Sequence, residues 1–350
     1  MNGKVLFFKR DSGKIVPVVS KKLNKKAKLK IQNLLKIFAD KLPKKILKNS
    51  KHVKLFHPDG NLAKAESLLI NPNEGAFSLK NKLNELTGKE WIKFTSSWFI
   101  FNAVRSDLKE ERNITEKFKL NSDDHPATYS PTMISEFISF FTKSKDTIID
   151  PFCGIGATLV ACDRTKRKGI GIEINKKYFK ISKARTKQKV INGNSKEIDK
   201  ILTKNKIKNI NFCITSPPYW NVLHRSTGNY KEKRLNKNLD VKYSTNHSDI
   251  GNIEDYEIFI DELFSIFLKL KDFMKKNAYL VVILKNVKKG GKNYPLAWDF
   301  AKKMSSIYTL RDEKIWCQDK VSLSPYGYPF AYTTNIHHHY CLVFRNSAEP

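Results

Sequence analysis

Short runs of consecutive apolar residues alternate along this chain with stretches whose apolar positions recur every three or four residues. Ile148-Ile149, Ile170-Gly171-Ile172, Phe212-Cys213-Ile214 and Leu280-Val281-Val282-Ile283-Leu284 are the continuous runs, the pattern of strands buried on both faces. Met133, Ile134, Phe137, Ile138, Phe140 and Phe141, following Ser130-Pro131, predict a helix with one buried side and proline in its first turn. The same repeat predicts helices from Asn175 to Ala184, from Tyr256 to Met274 and from Leu296 to Met304. A short strand at 189–194 and two more at 314–318 and 340–344 complete the set. Strand and helix in alternation predict an α/β fold, and 350 residues are enough for one large α/β domain plus a smaller region.

The first third of the chain reads differently. Residues 1–54 hold seventeen Lys and Arg but only Asp11 and Asp40 as acids. Apolar residues at 5–8 and 15–19 flank Asp11-Ser12-Gly13 and predict a hairpin, and Leu29, Ile31, Leu34, Leu35 and Phe38 recur at helical spacing. This is the pattern of a folded basic region. A helix ending at the Gly88 stop is expected over 83–88, followed by an aromatic cluster, Trp91, Phe94, Trp98, Phe99 and Phe101, that reads as core. Composition changes again at Asp123-Asp124-His125-Pro126, which sets a boundary between residues 1–124 and 125–350. Within the second part, residues 221–251 are polar, without periodicity, and longer than a connecting loop needs to be.

Charge narrows the partners. Lys and Arg total 65 against 34 Asp and Glu, a formal +31, and such an excess points to a polyanion, most simply nucleic acid. The five cysteines, at 153, 162, 213, 317 and 341, form no CxxC pair and read as buried thiols of a reducing compartment. No signal peptide or long apolar span is evident, so a soluble, cytoplasmic protein without membrane contact is expected. His337-His338-His339 lie on a strand, where neighbouring side chains face opposite ways; no metal site is expected there.

Two stretches carry chemistry. In the first, the strand 147–150 ends in Asp150, the turn Pro151-Phe152-Cys153-Gly154-Ile155-Gly156 follows, and Ala157-Thr158 opens a helix. Glycines admit a ligand close to the backbone, and the helix amino end presents unpaired N–H groups. The next strand ends in Glu173 and Ile174; Glu173 lies twenty-three residues after Asp150, where nucleotide-binding α/β sheets place the acid that holds ribose hydroxyls. In the second, the strand ending at Thr215 runs into Ser216-Pro217-Pro218-Tyr219-Trp220. Proline cannot donate to a sheet ladder, so the corner lies past the strand end and is stiff. A hydroxyl, carbonyls freed from pairing and aromatic rings suit a flat substrate bearing an NH2 group.

Taken together, His125-Pro126-Ala127, the run 150–158, Gly171-Ile172-Glu173-Ile174 and Thr215-Ser216-Pro217-Pro218-Tyr219-Trp220 resemble successive motifs of the S-adenosylmethionine-dependent DNA amino-methyltransferases. The likeness covers 125–346. It implies a Rossmann-like class I methyltransferase fold, a seven-stranded, mostly parallel sheet with an antiparallel last strand. It implies a donor site at Asp150, Pro151, Phe152, Cys153, Gly154, Gly156, Thr158, Glu173, Ile174, Asn194 and Thr128, and catalysis by Ser216, Pro217, Pro218 and Tyr219. Asn194 departs from the family's usual Asp, though an amide oxygen can still accept from an adenine amine; Ala157 stands where Ser or Thr is frequent. Ser before Pro-Pro-Tyr, with Trp after it, leans toward cytosine N4, with adenine N6 as the alternative, then an RNA amino-methyltransferase, then an inactive DNA-binding protein. Double-stranded DNA is the implied partner, with a cognate restriction endonuclease a second one. Neither gap around the motifs holds a recognition domain of ordinary size, so recognition falls to 1–124, helped by 221–251.

Overall fold

The computed structural model describes residues 81–101, 129–221, 248–320, 323–325 and 327–347, together with the backbone of five strands between 7 and 78. The chain divides into two compact units, Met1–Ser96 with Thr142–Ser144, and Ser97–Phe141 with Lys145–Pro350.

In the first unit β1 (Phe7–Asp11) and β2 (Lys14–Val18) form the expected hairpin, with Asp11 paired to Lys14. A second, three-stranded sheet joins β3 (Val53–Lys54), β4 (Leu68–Asn71) and β5 (Gly75–Ser78), all antiparallel. The helix expected to end at Gly88 instead begins there: α1 spans Gly88–Phe94. Its cap is reciprocal, with Thr87 Oγ1 accepting from Glu90 N–H and the Glu90 carboxylate accepting from Thr87 N–H. Such a Thr-x-x-Glu box satisfies two end donors at once and outweighs the stop signal of a glycine at the first helical position. The helix predicted from Leu29 to Phe38 lies outside the described residues.

The second unit is built on an eight-stranded sheet. Its strands are β6 (Trp98–Ile100), β7 (Thr147–Asp150), β8 (Lys168–Glu173), β9 (Lys189–Asn192), β10 (Ile210–Thr215), β11 (Met274–Leu284), β14 (Thr309–Cys317) and β15 (His338–Arg345). The small hairpin of β12 (Val287–Lys289) and β13 (Lys292–Tyr294), turning on Gly290-Gly291 at positive φ, stands apart from it. The spatial order is β6-β14-β15-β11-β10-β7-β8-β9. Only β15 runs against its neighbours, pairing antiparallel with β11 and β14. The sheet therefore has one strand more than expected: β6 adds parallel to the outer edge of β14. With three residues and a half-solvated face, β6 carries too little periodicity to be read as a strand. Trp98 on it is 57% exposed, so the aromatic cluster is not wholly core.

Helices cover both faces, as a parallel sheet requires. They are α2 (Pro131–Phe141), α3 (Ala157–Thr165), α4 (Lys176–Arg185), α5 (Ile198–Lys204), α6 (Tyr256–Lys271) and α7 (Leu296–Met304). Neighbouring β10 residues show the two layers. Phe212 meets Phe141 of α2 in a stacked pair at 5.2 Å, whereas Cys213 joins the core shared with α5, α6 and α7. The predicted span 256–274 breaks at Lys271, and Met274 already belongs to β11.

The chain leaves β7 toward β8 and β9, then crosses back to place β10 on the other side of β7. At such a reversal the loops at the strand carboxyl ends part and leave a crevice. Both chemical stretches of the sequence lie there.

Candidate active site

The carboxyl ends of β7 and β10 are bound to each other through Asp150. Its Oδ1 accepts from Thr215 Oγ1 at 2.6 Å and Phe152 N–H at 3.0 Å. Its Oδ2 accepts from Tyr129 at 2.8 Å and Thr158 at 2.5 Å. Four donors fill the capacity of a carboxylate, and Asp150 is fully buried. Burial raises its pKa, against the pull of these bonds. The sequence places Asp150 and Thr158 against a donor; the structure spends both on fixing the two strand ends and the turn between them. Charge-assisted bonds of this kind are worth about 1.5–3 kcal/mol each.

A cavity of about 500 Å³ opens beside this knot. One wall is the turn Pro151-Phe152-Cys153-Gly154, with Glu173, Ile174 and Asn194. Gly156 and Pro217 are not in the lining, and Thr128, with His125-Pro126-Ala127, lies outside the described residues. Gly156 shapes the turn from behind. Its φ is +89°, and a Cβ there would come 2.4 Å from Ser182 Oγ, so no side chain fits without movement.

Glu173 is nearly buried and clasps the turn. Its Oε2 accepts from Gly154 N–H and its Oε1 from Asn175 N–H, both at 2.8 Å. Each oxygen keeps room for one further donor. Burial pushes the carboxyl up to about 7 despite those two N–H groups, and the nearby Asp249 and Asp150 add to the rise. Asn194 caps the short helical turn after β9: its Oδ1 accepts from Lys196 N–H at 3.0 Å and its Nδ2 donates to Ser248 O at 3.2 Å. Asp249 also lines the cavity and is buried. Reading 221–251 as one aperiodic loop hid it. Residues 222–247 of that stretch are outside the described residues.

Facing this wall is the corner after β10. Ser216, Pro218 and Tyr219 line the cavity, and the Ser216 and Tyr219 hydroxyls are 2.9 Å apart. Burial drives the Tyr219 phenol well above its usual pKa, so it stays protonated. Trp220, expected to share the substrate face, turns away instead. At φ +56° its ring packs against Tyr256 and Tyr294, at 5.2 and 4.9 Å, with the Lys289 ammonium 3.5 Å from its centre. Positive φ is costly for an aromatic residue, and the cage of rings and cation holds it there.

A third group brings together His339 of the histidine run and three residues that carry no sequence signal. Lys285, one residue past β11, and Trp316, Gln318 and His339 complete the cavity beside Tyr219. His339 stacks on Trp316 at 4.4 Å, and Trp316 is itself fixed by its Nε1–H bond to Phe101 O. His338 faces the other way, toward Tyr340, so the histidine run does divide between faces. Among the described residues no cluster could hold a metal ion. Between Gln318 and His339 the chain makes a loop on which Tyr328, Phe330 and Tyr332 are 81–94% exposed, and Lys288 Nζ reaches Thr333 and Thr334 of that loop. Four of the five cysteines are buried and all are free; Cys317 is half-buried.

A family model described as DNA methylase, of the N6 and N4 type, matches residues 12–184, which takes in the glycine turn and Glu173. The Type II methyltransferase M2.LlaDCHI of Lactococcus lactis subsp. cremoris is 38% identical over 73 residues, 21% of this chain and 27% of that protein. The Type II methyltransferase M.BglI of Bacillus subtilis is 32% identical over 124 residues, 35% of this chain and 31% of its own length. The chain thus spans about three-tenths of the length of these relatives. Among solved structures, a methyltransferase from Pyrococcus furiosus overlays with a TM-score of 0.38 at 12% identity, covering 71% of this chain and all of the other. Over residues 12–184, just under half of its length, the chain is similar to the N6 and N4 DNA methylases.

Proposed function

We propose that this chain transfers a methyl group from S-adenosylmethionine to the exocyclic amine of a base flipped out of double-stranded DNA, and that the base is cytosine, modified at N4. The observation that carries this reading is that the Ser216–Tyr219 corner and the Gly154–Glu173 clasp open into one cavity.

The lining fits S-adenosylmethionine. The free acceptor capacity of Glu173 suits a ribose diol, the amide oxygen of Asn194 suits an adenine amine, and the backbone of 151–154 offers a wall without long side chains except Phe152. Bound there, the donor supplies an electrophilic methyl on a sulfonium sulfur.

The rest of the work belongs to the corner. An aromatic amine is a weak nucleophile because its lone pair is delocalised into the ring, and it becomes acidic only as the new N–C bond forms. The site must hold the lone pair in line with the methyl and accept the two N–H hydrogens. Ser216 Oγ accepts one, with its own hydrogen turned to Tyr219; the other we assign to the Pro217 carbonyl on the resemblance of the motif, although Pro217 itself is not in the cavity lining. The Tyr219 ring stacks on the flipped base. The departing proton leaves through these hydroxyls to solvent.

Site selection we assign to residues 1–124, with help from 221–251; the exposed Tyr328, Phe330 and Tyr332 suit stacking on opened bases. The relatives' Type II names support a cognate restriction endonuclease as a companion. No described helix is long and apolar enough to cross a membrane. Methylation-sensitive sequencing of DNA from cells expressing the chain tests the proposal. N4-methylcytosine at one short motif is the expected result. N6-methyladenine there would replace the base, and unmodified DNA would overturn the activity.

A further inference from the structure

The far wall of the cavity holds polar groups, one of them a cation, that the chemistry above leaves unused. Lys285 is half-buried and, among the described residues, its ammonium has no hydrogen-bond or ion-pair partner. Burial lowers its pKa. The buried His339 Nδ1 has no partner either. His339 is kept neutral, pushed down to about 3 by burial and by the neighbouring Lys285 and His338. The Gln318 side chain faces the same space. A polar atom buried without a partner is costly, and an unpaired ammonium beside it in the same cavity is the imprint of an acceptor in the ligand.

The bases with amines differ in that acceptor. Along its pairing edge cytosine presents the N4 amine, the N3 lone pair and the C2 carbonyl. Adenine presents the N6 amine, the N1 lone pair and then a C2–H. With the amine held at Ser216, the first two positions are alike and only the third distinguishes them. A cation at the third position gains a strong bond from a carbonyl and is left desolvated against a C–H. A site built around such a bond rejects the analogue that lacks it far more strongly than a shape difference would. Building on the methyltransferase reading, we propose that Lys285, supported by Gln318 and His339, reads the C2 carbonyl of the target base and so selects cytosine over adenine.

The test is a cycle on duplex oligonucleotides carrying the motif found by sequencing, one with cytosine at the target and one with the 2-aminopyridin-5-yl C-nucleoside, which keeps the amine and the adjacent ring nitrogen but has C–H in place of the C2 carbonyl. Wild-type protein and Lys285→Met are compared on each, with Lys285→Gln as a second variant should the first fold poorly. On cytosine, Lys285→Met is expected to lower kcat/KM about 30- to 100-fold, the loss of one charge-assisted bond. On the base without the oxygen, the same substitution should change little, because its partner is already gone. Equal losses on both substrates would overturn the proposal. So would a loss of S-adenosylmethionine affinity by calorimetry, which would assign Lys285 to the donor, or a salt slope reduced by about one, which would assign it to a phosphate. A wild-type protein that methylates only adenine would also sink this inference while leaving the transfer of methyl groups to DNA intact.

Discussion

The hydroxyl oxygens of Ser216 and Tyr219 lie 2.9 Å apart across a corner stiffened by two prolines. Because Tyr219 stays protonated and can accept as well as donate, it can take the Ser216 hydrogen and leave the serine lone pairs facing the cavity. Tyr219→Phe keeps the ring but releases the serine hydroxyl. Its kcat should fall about tenfold, the worth of one neutral hydrogen bond. Tyr219→Ala removes the stacking surface too and should lower kcat by a further hundredfold or more. Donor affinity in calorimetry should stay within about twofold of wild type for both. A parallel loss of donor affinity would place Tyr219 in the donor pocket.

Glu173 gives a pH dependence with a definite sign. Its carboxyl is pushed up to about 7 from an ordinary 4.5. The folded protein therefore holds this proton more tightly than the unfolded chain. Its contribution to stability is present below about 4.5 and is lost as pH rises through about 7. Donor binding runs the other way, since ribose hydroxyls need the ionised form. S-adenosylmethionine affinity should rise from pH 6 to pH 8, with proton release visible as a dependence of the calorimetric heat on buffer. Glu173→Gln should bind more weakly and show a flat profile; a sloping profile in that variant would assign the proton elsewhere.

How much of this was legible in the sequence depends on the kind of signal each residue sits in. Glu173 and Ser216 each end an apolar strand and precede a change of pattern, so the sequence marks them. The strand order puts their loops on one crevice because β7 and β10 are neighbours. Asp150 is marked in the same way, yet no local pattern shows that Tyr129, Thr158 and Thr215 consume its acceptors. Lys285 is a single residue beside a strand whose strong apolar pattern hides it, and the His337-His338-His339 run marks His339 without showing what it faces. They become a pair only because β15 lies next to β11, which brings together residues 54 positions apart. Gly88 misled for a different reason: a glycine stop and a glycine start look alike until the Thr87–Glu90 box is noticed. The Gly290-Gly291 pair is a hairpin signal on its own, its φ freedom serving the tight turn between β12 and β13.

The glycine turn should tolerate little. Gly156→Ala adds a Cβ 2.4 Å from Ser182 Oγ at a backbone angle L-residues avoid, so the fold should lose about 1–3 kcal/mol. The shift should reach Gly154 and weaken donor binding. The nearest clashing atom is the buried Ser182 Oγ, and Ser182→Ala removes it while keeping a good helix former within α4. The double variant should regain part of the lost Tm in thermal denaturation, keeping the cost of the backbone angle. No recovery would mean the strain is entirely in φ.

The basic amino-terminal region is judged by its charge, since Lys21, Lys22, Lys25 and Lys26 lie outside the described residues. Seventeen cations against two acids in residues 1–54 are an electrostatic footprint for a phosphate backbone. Each phosphate contact releases condensed counterions and adds about 0.9 to the slope of log affinity against log salt. Replacing Lys21, Lys22, Lys25 and Lys26 together with Gln should therefore reduce that slope by up to about 3–4. Binding to every DNA should weaken alike, since phosphate contacts position a protein without reading sequence. The set of methylated sites, mapped by sequencing, should be unchanged. Substitutions elsewhere in 1–124 that alter the set of sites without changing the slope would locate the base-reading side chains there. If the sites change only with substitutions in 221–251, recognition belongs to that insertion, and the amino-terminal region serves affinity alone.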